Sequence, residues 1–433
     1  MWHLLDNKLI SQAQHGFVPR RSCTTNLLES LDYITSEVAK GGTVYAVYLD
    51  FWKAFDTVPH ARLMVKLHAY GIRGKVLNWV ENFLANRKQR VMVDEYSSDW
   101  TEVTSGVPQG SVLGPLLFVV YINDLPEICR NIFKLYADDS KILAGVSKKD
   151  DLENLQDDLN GVSEWSDLWQ TRLNGDKCRV LRFGKNIEEL ENSTLSIYDH
   201  DGIRRVMDFS AMEKDLGVLV CDDLSWKKHV ETSASKANSI LGMLRKAFQH
   251  NSVELWKRLY VSYVRPHLEF AVSAWNPQKL GMSQLLEKVQ RRATKIPKPL
   301  RQLSYEERLH QLGLEKLEQR RNRGDLIQFF KFYKGIEVVD WHCPLVSLES
   351  SRGENGMETR GGNHRMKRQM FGSRQMNDHS AAVSTRLNFF LNRIIPYWNK
   401  LPVEVVAARS VNSFKAKLDK WTAEQRELRN NRQ

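Results

Sequence analysis

Apolar residues change their spacing repeatedly along the first 230 positions. Short β-branched and aromatic runs predict strands over Thr43 to Phe51, Phe133 to Tyr136, Lys141 to Gly145, Cys178 to Phe183 and Leu216 to Cys221. Helical spacing intervenes. One helix is predicted from Thr24 to about Lys40 and is ended by Gly41-Gly42. Val58-Pro59 opens another, with Leu63, Val65, Leu67 and Tyr70 at its apolar positions and Gly71 after it. Further helices are predicted over Lys75 to Ala85, over Val112 to Asn123 (buried against the sheet) and over Asp151 to Gln170. In the last of these, Leu152, Leu155, Leu159, Val162, Trp165 and Trp169 form an apolar stripe. Arg90 to Val93 and Trp100 to Val103 read as the two arms of a hairpin, and Gly106 to Gly110 as a loop. The order predicts an α+β layer fold with antiparallel hairpins.

Beyond His229 the spacing is helical, over Thr232 to His250, Glu254 to Tyr263, Gln284 to Lys295, Tyr305 to Leu312 and Glu315 to Tyr333. Ser351 to Arg374 is polar, basic and glycine-rich, the composition of a linker or disordered segment. Apolar periodicity returns with Phe389, Phe390, Ile394, Ile395 and Trp398, then Phe414, Leu418 and Trp421. No internal repeat is evident.

The length of 433 residues allows two to four domains with proper cores, and a charged content of 27% is that of a globular protein. No apolar run approaches the roughly 18 residues of a membrane span, and Asp6, Asn7 and Lys8 interrupt any secretory core. Cys23, Cys129, Cys178, Cys221 and Cys343 stand singly, without CxxC or CxxH spacing. They support neither a zinc knuckle nor a disulfide framework, and a reducing compartment is expected. Charge changes the picture more. Residues 1–230 carry 27 Lys+Arg against 33 Asp+Glu, whereas residues 231–433 carry 36 against 19. A mildly acidic half therefore precedes a strongly basic one, a footprint of nucleic-acid binding that solvated basic helices would also leave.

The acidic half holds the candidate chemistry. Asp50 ends the strand-like run Ala-Val-Tyr-Leu-Asp, and Asp138-Asp139 lies between the strands of a predicted hairpin. A carboxylate at the rim of a buried sheet is costly unless something positive neutralises it. Asp50, Asp138 and Asp139 brought together would repel, so a divalent cation is the natural occupant. Hard oxygen ligands suit magnesium, with a substrate phosphate completing the shell, and two-metal phosphoryl or nucleotidyl transfer follows. The bland alternative is that Asp138-Asp139 merely serves a turn. Asp56 reads as a turn or helix-start acid rather than a ligand. His60 and His68, without partners at metal-ligand spacing, read as structural.

Ordered blocks then carry a resemblance: Gln14-His-Gly-Phe17, Asp50-Phe-Trp-Lys-Ala-Phe-Asp56, Gly106-Val-Pro-Gln-Gly-Ser-Val-Leu-Gly-Pro115, Tyr136-Ala-Asp-Asp139, Lys177-Cys178, Leu216-Gly-Val-Leu-Val220, Glu287-Lys-Val-Gln-Arg-Arg-Ala293 and Ser304-Tyr-Glu-Glu-Arg-Leu309. The chain resembles the reverse transcriptases of non-LTR retrotransposons, most closely the jockey- and CR1-like group. The resemblance implies a right-hand polymerase fold: partial fingers over 1–42, a palm over 43–228, a helical thumb over 229–345, a basic linker over 346–384 and a small helical module over 385–433. It implies RNA-directed DNA polymerisation with an RNA template, a DNA primer, deoxynucleoside triphosphates and two Mg2+ ions, Mn2+ being the substitute.

Roles carried over are metal binding by Asp50, Asp138 and Asp139, with the Phe51 carbonyl completing one shell. Phe55 blocks a ribonucleotide 2′-hydroxyl, Gln109 touches the incoming nucleotide, and Lys177 protonates pyrophosphate. The alternatives are packing for Phe55, loop support for Gln109 and a plain surface lysine for Lys177. Leu216 to Val220 props the primer end, and Arg291, Arg292 and Lys295 in the basic half contact nucleic acid.

Departures from the family pattern are Trp52, Val18 and Arg20. A full element protein carries an endonuclease and the first finger strands before the block at Gln14. Neither fits in 13 residues, so the chain is expected to be a 3′ fragment. A second reading is a remnant that binds RNA through its basic half without polymerising; an intron maturase or telomerase-like enzyme is a third, disfavoured by the blocks after Glu287. Copying into chromosomes implies nuclear access, although no compact basic import cluster is evident.

Overall fold

The computed structural model describes residues 1–185, 193–199, 201–248, 252–348, 364–369 and 381–430. They fall into two compact units, Met1–Asn26 with Lys40–Leu216, and Leu27–Ala39 with Gly217–Gln433. The division runs through a single helix, α1 (Cys23–Ala39), and so cuts across the five segments expected above.

The first unit is built on a five-stranded sheet. Its central strand, β1 (Val44–Leu49), is buried at every position but Tyr48, as a run without polar alternation requires when both faces are covered. On one side β1 pairs antiparallel with β3 (Asp139–Gly145), which pairs with β2 (Ile132–Tyr136). On the other it pairs antiparallel with β4 (Arg179–Phe183), and β5 (Asp208–Ser210) lies parallel to β4 at the edge. The register sets Leu49 opposite Ser140. The C-terminal end of β1 therefore lies beside the turn joining β2 to β3.

Helices α2 (His60–Ala69), α3 (Gly74–Leu84), α4 (Leu113–Ile122) and α5 (Lys149–Trp169) close the core of this unit. The stripe of α5 from Leu152 to Trp165 is buried with Leu117, Phe118 and Tyr121 of α4. On α2 the buried face is Leu63, Lys66 and Leu67, whereas Val65 is 62% exposed because its position points the other way. The hairpin after α3 also differs from expectation. Met92–Val93 pairs with Tyr96–Ser97, and Lys88–Gln89 with Thr101–Glu102. The reversal falls at Asp94, whose positive φ of 51° suits a tight turn.

The second unit is helical: α6 (Lys227–Ala247), α7 (Leu280–Thr294), α8 (Leu317–Tyr333), α9 (Phe390–Trp398) and α10 (Val411–Asn430) are its longest pieces beside the later part of α1. The helix expected over Glu254 to Tyr263 is Val253–Leu259 continued by a wider π turn, Tyr260–Val264. There the Arg265 N–H reaches back five residues to the Tyr260 carbonyl at 2.9 Å, ahead of Pro266, which has no N–H to give. Phe329 meets Trp398 edge-on at 4.8 Å and Phe330 stacks on Phe414 at 4.1 Å. Trp398 and Phe414 thus share one core with α8.

Arg386 lies 2.7 Å from the Asp32 carboxylate with both side chains fully buried, and the Cys343 N–H donates to Asp32 at 2.9 Å. Burial raises the Asp32 carboxyl, with Arg386 opposing. Most of the expected linker lies outside the described residues. Between 351 and 374 the described residues are 364–369, and they are tied down: the Trp398 indole donates to the His364 carbonyl at 2.9 Å, and Met366 bridges to Ser347.

Candidate active site

The apolar run of β1 delivers Asp50 to the sheet rim, and the neighbouring backbone holds it there. The Asn174 N–H donates to the Asp50 carbonyl at 2.8 Å, Phe51 bridges to Leu173, and the Trp52 N–H donates to the Arg172 carbonyl at 2.7 Å. Side chains then diverge. Asp50 is half-exposed, Phe51 turns into the core against Trp165, and Trp52 faces outward.

Across the sheet, Tyr136 pairs with Asp139, which leaves Ala137 and Asp138 as a two-residue turn. Ala137 takes a positive φ of 57°, as tight hairpins demand. Only Asp138 therefore occupies the tip, and Asp139 is the first residue of β3. Asp50 and Asp139 line one cavity of about 140 Å³ together with Tyr48, Lys141, Lys177 and Asp215.

The electrostatics are those of crowded acids. Desolvation first, then the charge of Asp50, raises the Asp138 carboxyl, against a hydrogen bond from its own backbone. Asp139 is open to solvent on one side, yet desolvation by the surrounding cleft, then Asp138, Asp215 and Asp50, push it up to about 6 against Lys141. Lys177 brings its ammonium within 3.4 Å of Asp50 Oδ2, an atom that is itself shielded and accepts no hydrogen bond. Hard oxygens with raised proton affinity and an orphaned carboxylate oxygen are a donor set that suits a divalent cation. Among the described residues no group of three or more His, Cys, Asp or Glu side chains is closed into a ligand cage.

Beneath the acids, Lys141 and Asp215 form an almost fully buried ion pair. Burial lowers the Lys141 ammonium, with Asp215 opposing, and burial followed by Asp215 raises the Tyr48 phenol well above its ordinary value. Sequence reasoning missed this pair. Its one signal was a lysine in the middle of a strand that is otherwise buried from Ser140 to Ala144.

The remaining candidates divide. Phe55 stacks on Phe118 at 4.2 Å, so the packing expected as its alternative is present. Gln109, exposed on its loop, donates from Nε2 to Asp56 Oδ1 at 2.9 Å. Asp56 lies in the first turn of the short helix Ala54–Thr57, as expected of a helix-start acid, and its side chain also steadies Gln109. Gly106 must be glycine: its φ is +88°, and a Cβ would stand 2.7 Å from the Asp56 carbonyl oxygen. His60 accepts the structural role expected of it through a 2.9 Å contact with the Gly106 carbonyl. Arg291, Arg292 and Lys295 are exposed on and just after α7 in the second unit. The Arg291 guanidinium lies 4.1 Å over the Tyr305 ring, and Arg292 donates to Asn238 at 2.8 Å.

Comparison with known proteins gives the same direction as the motifs. The reverse transcriptase (RNA-dependent DNA polymerase) family model matches residues 1–231, more than half of the chain. The RNA-directed DNA polymerase from mobile element jockey of Drosophila funebris is 24% identical over 286 residues, covering 62% of this chain and 30% of that protein. Its namesake from Drosophila melanogaster is 27% identical over 232 residues, covering 52% and 24%. The probable RNA-directed DNA polymerase from transposon BS of Drosophila melanogaster is 24% identical over 292 residues, covering 63% and 31%. The chain spans about a quarter to a third of the length of these relatives. With the acids gathered at one sheet rim and these matches along the same residues, the chain belongs to the reverse transcriptase family, in its non-LTR retrotransposon branch.

Proposed function

We propose that the cleft at the end of β1 is the catalytic centre of an RNA-directed DNA polymerase. It joins a deoxynucleoside triphosphate to a primer 3′-hydroxyl opposite an RNA template. One observation carries the reading: antiparallel pairing of β1 with β3 brings Asp50 beside the turn that holds Asp138 and the strand start that holds Asp139. In this reading the first unit supplies palm and partial fingers, and the helical second unit supplies thumb and C-terminal module.

Asp50, Asp138 and Asp139 are the residues that hold magnesium, with the Phe51 carbonyl as a further donor. Bound divalent cations supply a lowered hydroxyl pKa and neutralise the leaving pyrophosphate. Phe55, rigidly stacked on Phe118, limits room at the sugar. Gln109, aimed by Asp56, contacts the incoming nucleotide. Lys177, beside Asp50, delivers a proton to pyrophosphate in this reading.

The test is extension of a DNA primer on an RNA template with Mg2+, comparing the full chain with its Asp138→Ala variant. Extension by the wild type that falls to background in the variant supports the reading. No extension by the wild type would end the claim of activity, and equal extension by both would remove Asp138 from the site.

A further inference from the structure

We infer that Gln14 and Gly16 are positioning residues that fix the turn carrying Asp138. The inference rests on the reading of Asp138 as a metal-binding acid. Gln14 is fully buried. Its Oε1 accepts two backbone N–H bonds, from Gly16 at 2.7 Å and, across 123 residues of sequence, from Ala137 at 3.0 Å. Its Nε2 is buried with no partner among the described residues. Leaving that donor unpaired costs free energy, which the two bonds to the oxygen offset.

The surrounding backbone makes the same connection. The Leu135 N–H donates to the Ala13 carbonyl at 2.9 Å, and the His15 N–H donates to the Leu135 carbonyl at 2.9 Å. Residues 13–15 therefore run beside β2 up to its last turn-facing residues. Gly16 then crosses directly over the turn: a Cβ there would collide with the Ala137 nitrogen and stand 2.9 Å from the Tyr136 carbonyl carbon. Only a residue without a side chain permits this approach.

Ala137 needs such support. Its φ of +57° is uncommon for a residue with a Cβ, and such conformations persist where the surroundings over-determine them. The Gln14 oxygen fixes the Ala137 amide, and the Asp138 backbone follows directly from it. The height and rotation of the Asp138 carboxylate against Asp50 are thereby set by a side chain from the first 20 residues. The role belongs to positioning, since Gln14 itself does not face the cleft.

The experiment uses the full chain and Gln14→Met, which keeps side-chain length and loses the acceptor. Hydrogen exchange over residues 134–140 should quicken by about tenfold, with exchange over 149–169 unchanged. Mn2+ affinity, followed by electron paramagnetic resonance, should weaken by roughly 10–100-fold, the usual cost of removing an outer support of a metal ligand. In single-turnover extension the rate should fall by about 100-fold while the burst amplitude holds. A merely structural role would instead lower the amplitude and leave the rate per active molecule unchanged. Gln14→Glu, which keeps the oxygen, should retain protection over 134–140 and guards against a misfolded Met variant.

Unchanged Mn2+ affinity in Gln14→Met, or equal loss of protection in both variants, overturns the inference. Asp138→Asn separates the two claims. If it binds Mn2+ as the wild type does, the reading of Asp138 fails whatever Gln14 does.

Discussion

Lys177 Nζ stands 3.4 Å from Asp50 Oδ2, so the lysine carried over as a proton donor and the acid carried over as a metal ligand are already in contact. Lys177 is largely exposed and Asp50 half-exposed, and solvent-screened pairs of this kind contribute little to stability. Lys177→Ala should therefore shift the denaturation midpoint by no more than about 0.5 kcal/mol in free energy. The extension rate should fall by roughly 100-fold or more, as loss of a general acid does. A rate equal to wild type would make Lys177 a surface lysine after all.

Phe55 serves packing through its stack on Phe118 and, in the proposed function, limits space at the sugar. Phe55→Ala should cost about 2–3 kcal/mol of stability through lost burial and stacking. Ribonucleotide incorporation relative to deoxyribonucleotide should rise by roughly tenfold or more. Competition between the two nucleotides during extension measures the second effect apart from the first.

His229 is buried against Trp275, and desolvation lowers its imidazole from 6.5 to about 4. The Leu219 N–H donates to Nδ1 at 3.1 Å, which requires the neutral ring. The folded state thus resists protonation while the unfolded chain takes up a proton below about pH 6.5. The stability this neutral ring supplies is present above that pH and is lost as pH falls toward the folded value, by about 3 kcal/mol in all. Urea midpoints measured from pH 7 to pH 4 should fall accordingly, and His229→Gln should flatten that part of the curve.

Arg291, Arg292 and Lys295 lie on exposed turns of a unit rich in positive charge. If they contact RNA phosphates, changing all three to Gln should lower the slope of log affinity against log salt by about 2–3. An unchanged slope would place RNA binding elsewhere on the chain. Loss of the Arg291 contact with Tyr305 should cost only about 0.5–1 kcal/mol of stability.

Much of the site was legible because its residues interrupt strong local patterns. Asp50 ends an apolar run, and Asp138-Asp139 breaks a strand pair, so period and composition placed all three at strand ends. Gly106 and Pro108 marked a loop for the same reason. Lys141 and Asp215 were not legible as a pair, since 74 residues separate them and neither belongs to a local motif. The helix-start place of Asp56 is a local property and is legible, whereas its bond to Gln109, 53 residues away, is not.

Taken alone, the sequence determined which stretches become strands and helices, which half is basic, and which carboxylates interrupt buried strands. Those properties depend on spacing over a few residues, and short-range sterics and burial suffice to set them. Tertiary structure decided that β1 pairs with β3 in the register that brings Asp50 to the Asp138 turn, that Gln14 holds that turn, and that α1 is shared between two units. These depend on which distant segments close on one another. That choice is made by the packing of the whole core and by the pairing of most buried polar groups, neither of which a local window contains.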